Sequence, residues 1–388
     1  MHNHSAIRSD GGIALTTKPH FARWKQTLLL GAAALSLVGA LATYAATPTK
    51  QGTPATKPAA DGTKSRAEVD KLIEEAGKTQ PDWWDSTELN YPDTLDLTWG
   101  PGVKGKWDNK RVMGAYYWDI IDPNPARWKE GIKLAHYCLT NTLKANPKAQ
   151  TNAMGTMSRI YTEMLGDFPR GAYWAKKHGN MPLTLAECYL KLGCPSAAKQ
   201  ILNGMGTDQT RNCQMVKLWA ELGDMKTALF MAETRAKGDP TPAYLAAGDA
   251  CRSAQRFPEA VAYYQKVIKA NGSNRDDKVN KSRAQASLDA IKLFDSLDLS
   301  KIADGTYKGA GLGYVGDVNV EVTVAGNKIE KVEVTQHHEK QFYSSINDVP
   351  PQIVAKQSVK GVDTTTGATR TSEAIINGAA KALAAAQK

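Results

Sequence analysis

The stretch DVNVEVTVAGNKIEKVEV, residues 317–334, decides the fold class of the C-terminal part of the chain. Apolar and polar residues alternate through 317–324 and 328–334, which is typical of strands with one buried face. Ala325, Gly326 and Asn327 stand between them and favour a tight turn. The two-residue period begins near Ala303, where the helical period of the upstream segment ends. The pattern therefore predicts an antiparallel hairpin.

A helix is predicted at the end of the chain. After a segment that contains Ile353 and Val354, residues 372–388 (SEAIINGAAKALAAAQK) have helical spacing. Its apolar face carries Ile375, Ile376, Ala379, Ala380 and Leu383. Residues 301–388 are therefore expected to form a small α+β unit.

A hydroxyl-rich stretch, VDTTTGATRTS at 362–372, precedes this helix and holds six hydroxyl side chains. Gly367 permits a sharp reversal of the backbone, and Ala368 keeps the site uncrowded. Unpaired N–H groups and the helix dipole favour a phosphate at a helix N-terminus. The hydroxyl residues at that terminus are Thr369, Thr371 and Ser372. The residues alone predict a site for any phosphate ester, and the alternative is a helix cap with spare threonines.

Two stretches carry a resemblance to a known family: residues 304–335 (DGTYKGAGLGYVGDVNVEVTVAGNKIEKVEVT) and 362–383 (VDTTTGATRTSEAIINGAAKAL). Together they resemble the FMN-binding domain found in flavin-bearing subunits of the sodium-pumping NADH:quinone oxidoreductase and the Rnf complex. The resemblance covers about residues 303–386. The family signature is Asp, then Ser/Thr-Gly-Ala-Thr-x-Thr/Ser at the start of the C-terminal helix. This chain has Asp363, Thr366, Gly367, Ala368, Thr369, Arg370 and Thr371 there.

The resemblance implies FMN joined by a phosphoester bond to Thr369, attached by a separate flavin transferase that uses FAD. The cofactor-binding residues would be Thr369, Asp363, Thr366, Gly367, Ala368, Thr371 and Ser372. The isoalloxazine ring would carry electrons, while the protein anchors and orients it. No paired carboxylates or nucleophile–base pair suited to hydrolysis are evident. We therefore expect an electron carrier rather than a substrate-specific oxidoreductase, and no metal site.

The chain departs from the family pattern after the second strand of the hairpin. Subunits of the large complexes often have His-x-Glu-Thr-Pro-Gly there, whereas this chain keeps His337, His338 and Glu339 and lacks the Thr-Pro-Gly. The departure argues against membership of a sodium-pump complex, and it does not affect flavin attachment. The histidines could touch the flavin, although neighbouring strand residues point to opposite faces.

Residues 131–299 are predicted to form helix pairs. Turn positions Gly193, Gly223 and Gln255 are each followed five residues later by an alanine, at Ala198, Ala228 and Ala260. An earlier copy has Gly166 and Gly171 at the same spacing. The pattern resembles the tetratricopeptide repeat, best in FPEAVAYYQKVIKANG at 257–272. Stacked pairs would form a concave surface that either docks a peptide or protein partner or serves only as a spacer.

Residues 66–130 are predicted to form a helical and irregular cap rich in tryptophan. A helical pattern starts near Ser65, and six tryptophans follow. They could line a binding surface, or they could cap and pack the helical stack. These tryptophans are Trp83, Trp84, Trp99, Trp107, Trp118 and Trp128.

The N-terminal segment predicts export. Residues 1–26 form a basic n-region, 27–46 are uncharged and long enough to span a bilayer, and 47–65 form a flexible linker. The positive-inside rule leaves the N-terminus in the cytoplasm and the rest on the periplasmic side. The span is either a transmembrane anchor, which its length favours, or a cleaved signal sequence.

The charge distribution and the cysteine spacing argue against two classes of protein, nucleic-acid-binding proteins and proteins with cysteine-bound haem or zinc. The net charge is +10, but residues 1–66 carry eight basic and two acidic side chains and so supply +6 of it. The C-terminal unit is nearly neutral, so nothing predicts nucleic-acid binding. The five cysteines have no spacing for haem or zinc and are expected in the core.

Three functions are compatible with this multidomain organisation, a helical solenoid followed by the α+β FMN-binding domain at 300–388. The first is an extracytoplasmic FMN electron carrier whose repeats dock an unknown redox protein or complex. The second is a repeat-based interaction scaffold with a non-redox flavin-type domain. The third is a flavin-dependent reductase of an external substrate. Bound flavin separates the first and third from the second, and turnover of a small acceptor separates the third from the first.

Overall fold

The computed structural model describes residues 63–100, 107–142, 144, 146–205, 213–272, 275–339, 344–362, 364 and 369–387. The predicted n-region, membrane span and most of the linker lie outside the described residues. No helix within the described ranges is long and apolar enough to cross a membrane.

α-Helices predominate among the described residues up to Phe294, although none lies among the described residues of 79–112. They are α1 (Arg66–Lys78), α2 (Met113–Tyr116), α3 (Trp128–Tyr137), α4 (Pro147–Arg159), α5 (Phe168–His178), α6 (Pro182–Lys191), α7 (Pro195–Asn203), α8 (Cys213–Glu221), α9 (Met225–Ala236), α10 (Pro240–Ser253), α11 (Phe257–Lys269) and α12 (Arg275–Phe294). The C-terminal unit adds β1 (Gly305–Leu312), β2 (Asp317–Ala325), β3 (Lys328–Gln336), α13 (Ser344–Lys356) and α14 (Thr369–Ala386).

The first helix begins where the sequence predicts. Ser65 and Glu68 form a capping box, in which the serine hydroxyl accepts the Glu68 amide and the Glu68 carboxylate accepts the Ser65 amide. Val69 and Ile73 are its buried positions, and α1 packs against α5. Asp70 accepts a hydrogen bond from Lys176 at 3.0 Å, which ties α1 to α5.

Four helix pairs, α4–α5, α6–α7, α8–α9 and α10–α11, share one turn geometry. The predicted turn positions Gly166, Gly193, Gly223 and Gln255 have φ of +65°, +87°, +79° and +59°. This left-handed conformation ends the first helix of each pair and favours glycine. The residue five positions later is buried in each second helix, at Gly171, Ala198, Ala228 and Ala260. The described helix pairs therefore recur as the sequence predicts.

The tryptophan-rich region is mostly packed. Trp128 is 4% exposed and donates its indole N–H to the Asp122 carbonyl, while Trp107 is 45% exposed. Trp83 and Trp84 lie at the surface of the same hydrophobic cluster and are partly buried. Core packing explains the buried members of the set.

The C-terminal unit is an antiparallel sheet of order β1-β2-β3 with α14 packed on one face. Gly326 and Asn327 form the predicted hairpin turn, with φ of +55° and +61°. The four valines of β2 at even positions are buried beneath α14, namely Val318, Val320, Val322 and Val324. The predicted hairpin and terminal helix are confirmed.

Strand β1 was not predicted by the alternation, because three of its four inward positions are glycines, namely Gly305, Gly309 and Gly311. A Cβ on Gly309 would come within 2.1 Å of the Gly378 carbonyl oxygen, and one on Gly311 within 2.0 Å of that of Ala374. The glycines let the backbone of α14 lie directly on the strand. This close approach fixes where the N-terminus of α14 stands relative to the β1–β2 loop.

One hydrophobic cluster extends across the predicted domain boundary at 299/300. It includes Tyr264, Ala284 and Leu288 from α11 and α12, together with the β2 valines and Ile375 of α14. The last helix pair, α12 and the sheet unit therefore share a core.

Candidate functional site

The first turn of α14 separates the three predicted hydroxyl residues by burial. Thr371 and Ser372 are 1% and 0% exposed, whereas Thr369, the first helical residue, is partly exposed. Thr369 thus combines the helix N-terminus with access to solvent. The structure brings these three residues together as the sequence predicts, while Asp363, Thr366, Gly367 and Ala368 lie outside the described residues.

Glu339 joins three segments at this end of the sheet. It follows β3, and its side chain is 2% exposed. Oε1 accepts the backbone N–H groups of Tyr314 and Val315 at 2.8 and 2.9 Å, and Oε2 accepts the hydroxyl of Thr371. One carboxylate therefore holds the β1–β2 loop against the first turn of α14. Thr371 is engaged in this structural contact.

Arg370 lies against the same loop. Its guanidinium is 5.0 Å from the ring centroid of Tyr314, and it forms no hydrogen bond or salt bridge with a described residue. Tyr314 and Val315 are 45% and 50% exposed. Burial, and then the neighbouring Arg283, lower the pKa of Arg370. The cation is half-buried beside Thr369 with a ring as its described partner.

The segment before α14 is held by the helical region. The ammonium group of Lys217, in α8, donates a hydrogen bond to the Thr364 carbonyl oxygen at 3.0 Å. Gly361 has φ of +64°, and a Cβ there would come within 2.9 Å of Gln255 Nε2 at the α10–α11 turn. The Thr364 hydroxyl is buried and has no hydrogen-bond partner among the described residues. Gly361 and Thr364 therefore lie where the helical region meets the sheet unit.

A buried charged network joins α10 and α12 to α14. Arg283 Nη2 lies 3.6 Å from Asp249 Oδ2 and 3.6 Å from Glu373 Oε2. Arg252 donates to Asn377 Oδ1 at 2.7 Å, one turn further along α14 than Glu373. Burial, and then Asp249, raise the pKa of Glu373 well above its usual range. The 3.6 Å separation from Arg283 is longer than a hydrogen bond and does not offset that burial.

A depression of about 510 Å³ lies on the sheet face opposite α14. It is lined by Val315, Gly316, Asp317, Asn319, Gln336 and His338. His337 is half-buried, and burial lowers its pKa. The structure places His338, one of the two histidines in the departing stretch, at this surface. Within the described residues, no group of three or more His, Cys, Asp or Glu side chains could hold a metal ion.

A second, partly buried charged cluster lies within the helix pairs. Lys191 and Lys217 lie 3.7 and 3.5 Å from the two carboxylate oxygens of Glu221. Burial raises the pKa of Glu187 to about 8, with Lys217 and Lys191 opposing the shift and Glu221 and Glu163 adding to it. Burial therefore favours the protonated form of Glu187 in the folded chain.

Sequence reasoning missed Arg283, Lys217 and the structural role of Glu339. The two cations stand in helices where a polar residue usually indicates a solvated face, so no local signal marks them. Glu339 had one usable signal, its position shortly after an alternating strand. That position places its carboxylate at the same end of the sheet as the loop that it binds.

Comparison with known proteins defines the class of the C-terminal unit. Residues 313–384 match the family model of the FMN-binding domain. The match supports an FMN-binding domain at the C-terminus and points to a flavoprotein. It falls on β2, β3, α13 and most of α14, with Thr369 inside it.

A curated relative aligns over a short segment. An uncharacterized protein of Treponema pallidum (strain Nichols) is 36% identical over 86 residues, which is 22% of this chain and 24% of the relative. The alignment therefore spans about a quarter of that protein. No solved structure gives a significant match.

The residues present fit the phosphate of FMN. Donors and positive charge come from the N-terminus of α14, from the half-buried Arg370 guanidinium and from the buried Thr364 hydroxyl, the last two having no anionic or hydrogen-bond partner among the described residues. FMN would add a ring that accepts and releases electrons. The chain's own residues would hold the phosphate and fix the ring relative to the sheet.

Proposed function

We propose that this chain is an extracytoplasmic flavoprotein that carries FMN covalently on Thr369 and transfers electrons to or from a protein partner. Thr369 is the one hydroxyl residue of the described first turn of α14 that is partly exposed, and this observation carries the proposal. Thr371 and Ser372 are buried and engaged in the fold. The family match over 313–384 supports FMN as the ligand.

Attachment would be made by a flavin transferase that uses FAD. The Thr369 hydroxyl oxygen would form the new bond to the phosphorus of the FMN half, the phosphoanhydride bond would break, and AMP would leave. The hydroxyl proton passes to a base of the transferase. No oxidation or reduction occurs in this step.

The attachment site is tested with the full chain, co-produced with a flavin transferase, beside Thr369→Ala and Thr369→Ser. We expect wild type and the serine variant to gain the mass of FMN less one water and to fluoresce on a denaturing gel. The alanine variant should do neither. A mass gain that persists in the alanine variant would assign the bond to another residue, and no gain in wild type would remove the covalent flavin.

Electron transfer is proposed rather than substrate turnover because FMN itself carries the electrons, while the protein holds and orients its ring. The flavin should be reduced and reoxidised reversibly, with slow turnover of small soluble acceptors. Fast saturable turnover of one small molecule would instead support the reductase function. Absence of any reducible flavin would favour the scaffold function.

The helix pairs would dock the redox partner, and residues 27–46 would anchor the chain in the membrane with the remainder on the periplasmic side. The anchoring proposal rests on the uncharged span and the basic residues before it. A reporter fused to the C-terminus should be active outside the cytoplasm. The chain should stay in the membrane fraction at its full mass, whereas signal cleavage would release a shorter form.

A further inference from the structure

The helical region places a cation beside the first turn of α14. Glu373 lies four residues after Thr369, so the two side chains lie on one helix face. Side chains in a helix lean toward its N-terminus, so Glu373 reaches toward the turn that holds Thr369. Arg283 of α12 meets this side chain at 3.6 Å. Arg283 therefore meets α14 one turn after Thr369, and its charge acts on Arg370, although Arg283 lies outside the matched residues 313–384.

A second guanidinium stands at the same turn. Arg370 follows Thr369 directly, is half-buried, and has the Tyr314 ring as its described contact. Arg283 is nearly fully buried and shares Asp249 with Glu373. Arg283 lowers the pKa of Arg370, which means that the two cations repel each other across this space. Asp249 and Asp276 oppose that effect, each more weakly.

The charges near α14 do not balance within the network. Arg252, Arg283 and Arg370 are all held there against two carboxyl groups, Asp249 and Glu373, and burial, then Asp249, raise the pKa of Glu373. Arg252 is satisfied by Asn377, Ser287 and the Phe294 ring, which are all neutral. An anion at the Thr369 turn would offset the excess positive charge. A guanidinium fork suits phosphate oxygens in particular.

We propose that Arg283 and Arg370 together bind the phosphate group of the flavin at Thr369, so that the helical region supplies half of the phosphate clamp. The proposal rests on the proposed flavin function and deepens it. It makes Arg283 a cofactor-binding residue, with Asp249 and Glu373 holding its guanidinium in position. The FMN-binding domain without α12 would then have an incomplete phosphate site.

The test compares FMN with riboflavin, which lacks the phosphate, on the full chain carrying Thr369→Ala so that no covalent bond forms. Dissociation constants are measured by flavin fluorescence. Arg370→Gln and, separately, Arg283→Lys should each weaken FMN binding by about tenfold or more and change riboflavin binding little. Arg252→Lys is the matched control, because it alters the same network one turn beyond Glu373. This control should leave the ratio of the FMN and riboflavin dissociation constants unchanged.

Equal loss of FMN and riboflavin binding, or no loss of either, would overturn the clamp. The same arginine substitutions are also made in the chain that keeps Thr369, and the rate of flavin attachment from FAD is measured. If wild type takes up flavin and both arginine variants do so at the wild-type rate, the clamp is wrong and the flavin function stands. If wild type takes up no flavin and binds no FMN, the proposed function itself fails. If Arg283→Lys does not fold, Arg370→Gln still tests the clamp. This second substitution should not impair folding, because Arg370 forms no ion pair with a described residue.

Discussion

Glu339 offers the sharpest test of how the candidate site is held together. The perturbation is Glu339→Ala, with Glu339→Gln as its matched control. The alanine variant removes the acceptor of the Tyr314 and Val315 amides and of the Thr371 hydroxyl. The glutamine variant keeps an oxygen for the two amides, and its NH₂ group can donate to the Thr371 hydroxyl oxygen. The two variants therefore differ in three hydrogen bonds at one position.

The magnitude follows from which groups can find water. The two amide hydrogen bonds are part-buried in a loop whose residues Tyr314 and Val315 are about half exposed, so we expect water to reach these amides once the carboxylate is gone. Thr371 is 1% exposed, so water cannot replace its lost hydrogen-bond partner. Its unpaired hydroxyl then bears a desolvation cost of about 1–3 kcal/mol. Adding the lost charge-assisted bonds, and subtracting the cost of burying Glu339, we expect Glu339→Ala to lower the free energy of unfolding by about 2–4 kcal/mol. Glu339→Gln should lower it by about 1 kcal/mol.

Two assays measure the effect, urea unfolding of the chain and hydrogen exchange at the Tyr314 and Val315 amides. The amides should exchange slowly in wild type and in the glutamine variant, and close to the unprotected rate in the alanine variant. Flavin attachment should slow in the alanine variant, because the first turn of α14 loses its tie to the loop. Equal stability of the two variants, or amides that stay protected in Glu339→Ala, would refute the role assigned to this carboxylate.

Two further predictions concern the rest of the described chain. Gly311→Ala should destabilise the sheet unit by about 1–3 kcal/mol or more in urea unfolding, because its Cβ would lie 2.0 Å from the Ala374 oxygen. Gly316→Ala, where a Cβ meets nothing within 4 Å, should be near neutral, and equal effects would contradict the close packing of α14 on β1. The pKa of Glu187 is raised from 4.5 to about 8 by burial, so the unfolded chain binds fewer protons there between those values. Glu187 should therefore contribute a loss of roughly 3 kcal/mol of stability as pH rises from 5 to 8, in addition to the losses from Glu373 and Glu163, whose pKa values burial also raises. Glu187→Gln should make the fall shallower by about that amount, and an unchanged pH profile would show that burial does not raise the pKa of this carboxyl.

The elements with local signals were predicted correctly. The β2–β3 hairpin followed from alternating valines and from a Gly-Asn turn whose two residues both need positive φ. The helix-pair turns followed from the recurrence of glycine five residues before a small residue. Gln255 adopts the same left-handed conformation although it is not a glycine. The repeated spacing therefore predicted this turn, whereas the residue type alone would not have done so.

The elements that depend on distant contacts were not predicted. Strand β1 lacks alternating apolar residues because a helix backbone fills the space that side chains would take at Gly309 and Gly311. Within the site, the sequence placed Thr369 at the start of α14. It did not place Arg283 or Lys217 near the signature, because no pattern relates positions that are separated by more than eighty residues and meet only in the folded chain.

The shared core between the last helix pair and the sheet unit has a consequence for the proposed electron transfer. A flavin domain on a flexible tether would sample many orientations, and a partner bound to the helix pairs would meet the ring only part of the time. Here α12 packs against α14, Lys217 holds the Thr364 carbonyl, and Arg252 holds Asn377. A partner docked on the helix pairs would therefore find Thr369 at a fixed distance and orientation. The same contacts predict that loosening the junction, while leaving both parts folded, would slow electron transfer to a docked protein more than reduction of the flavin by a small molecule.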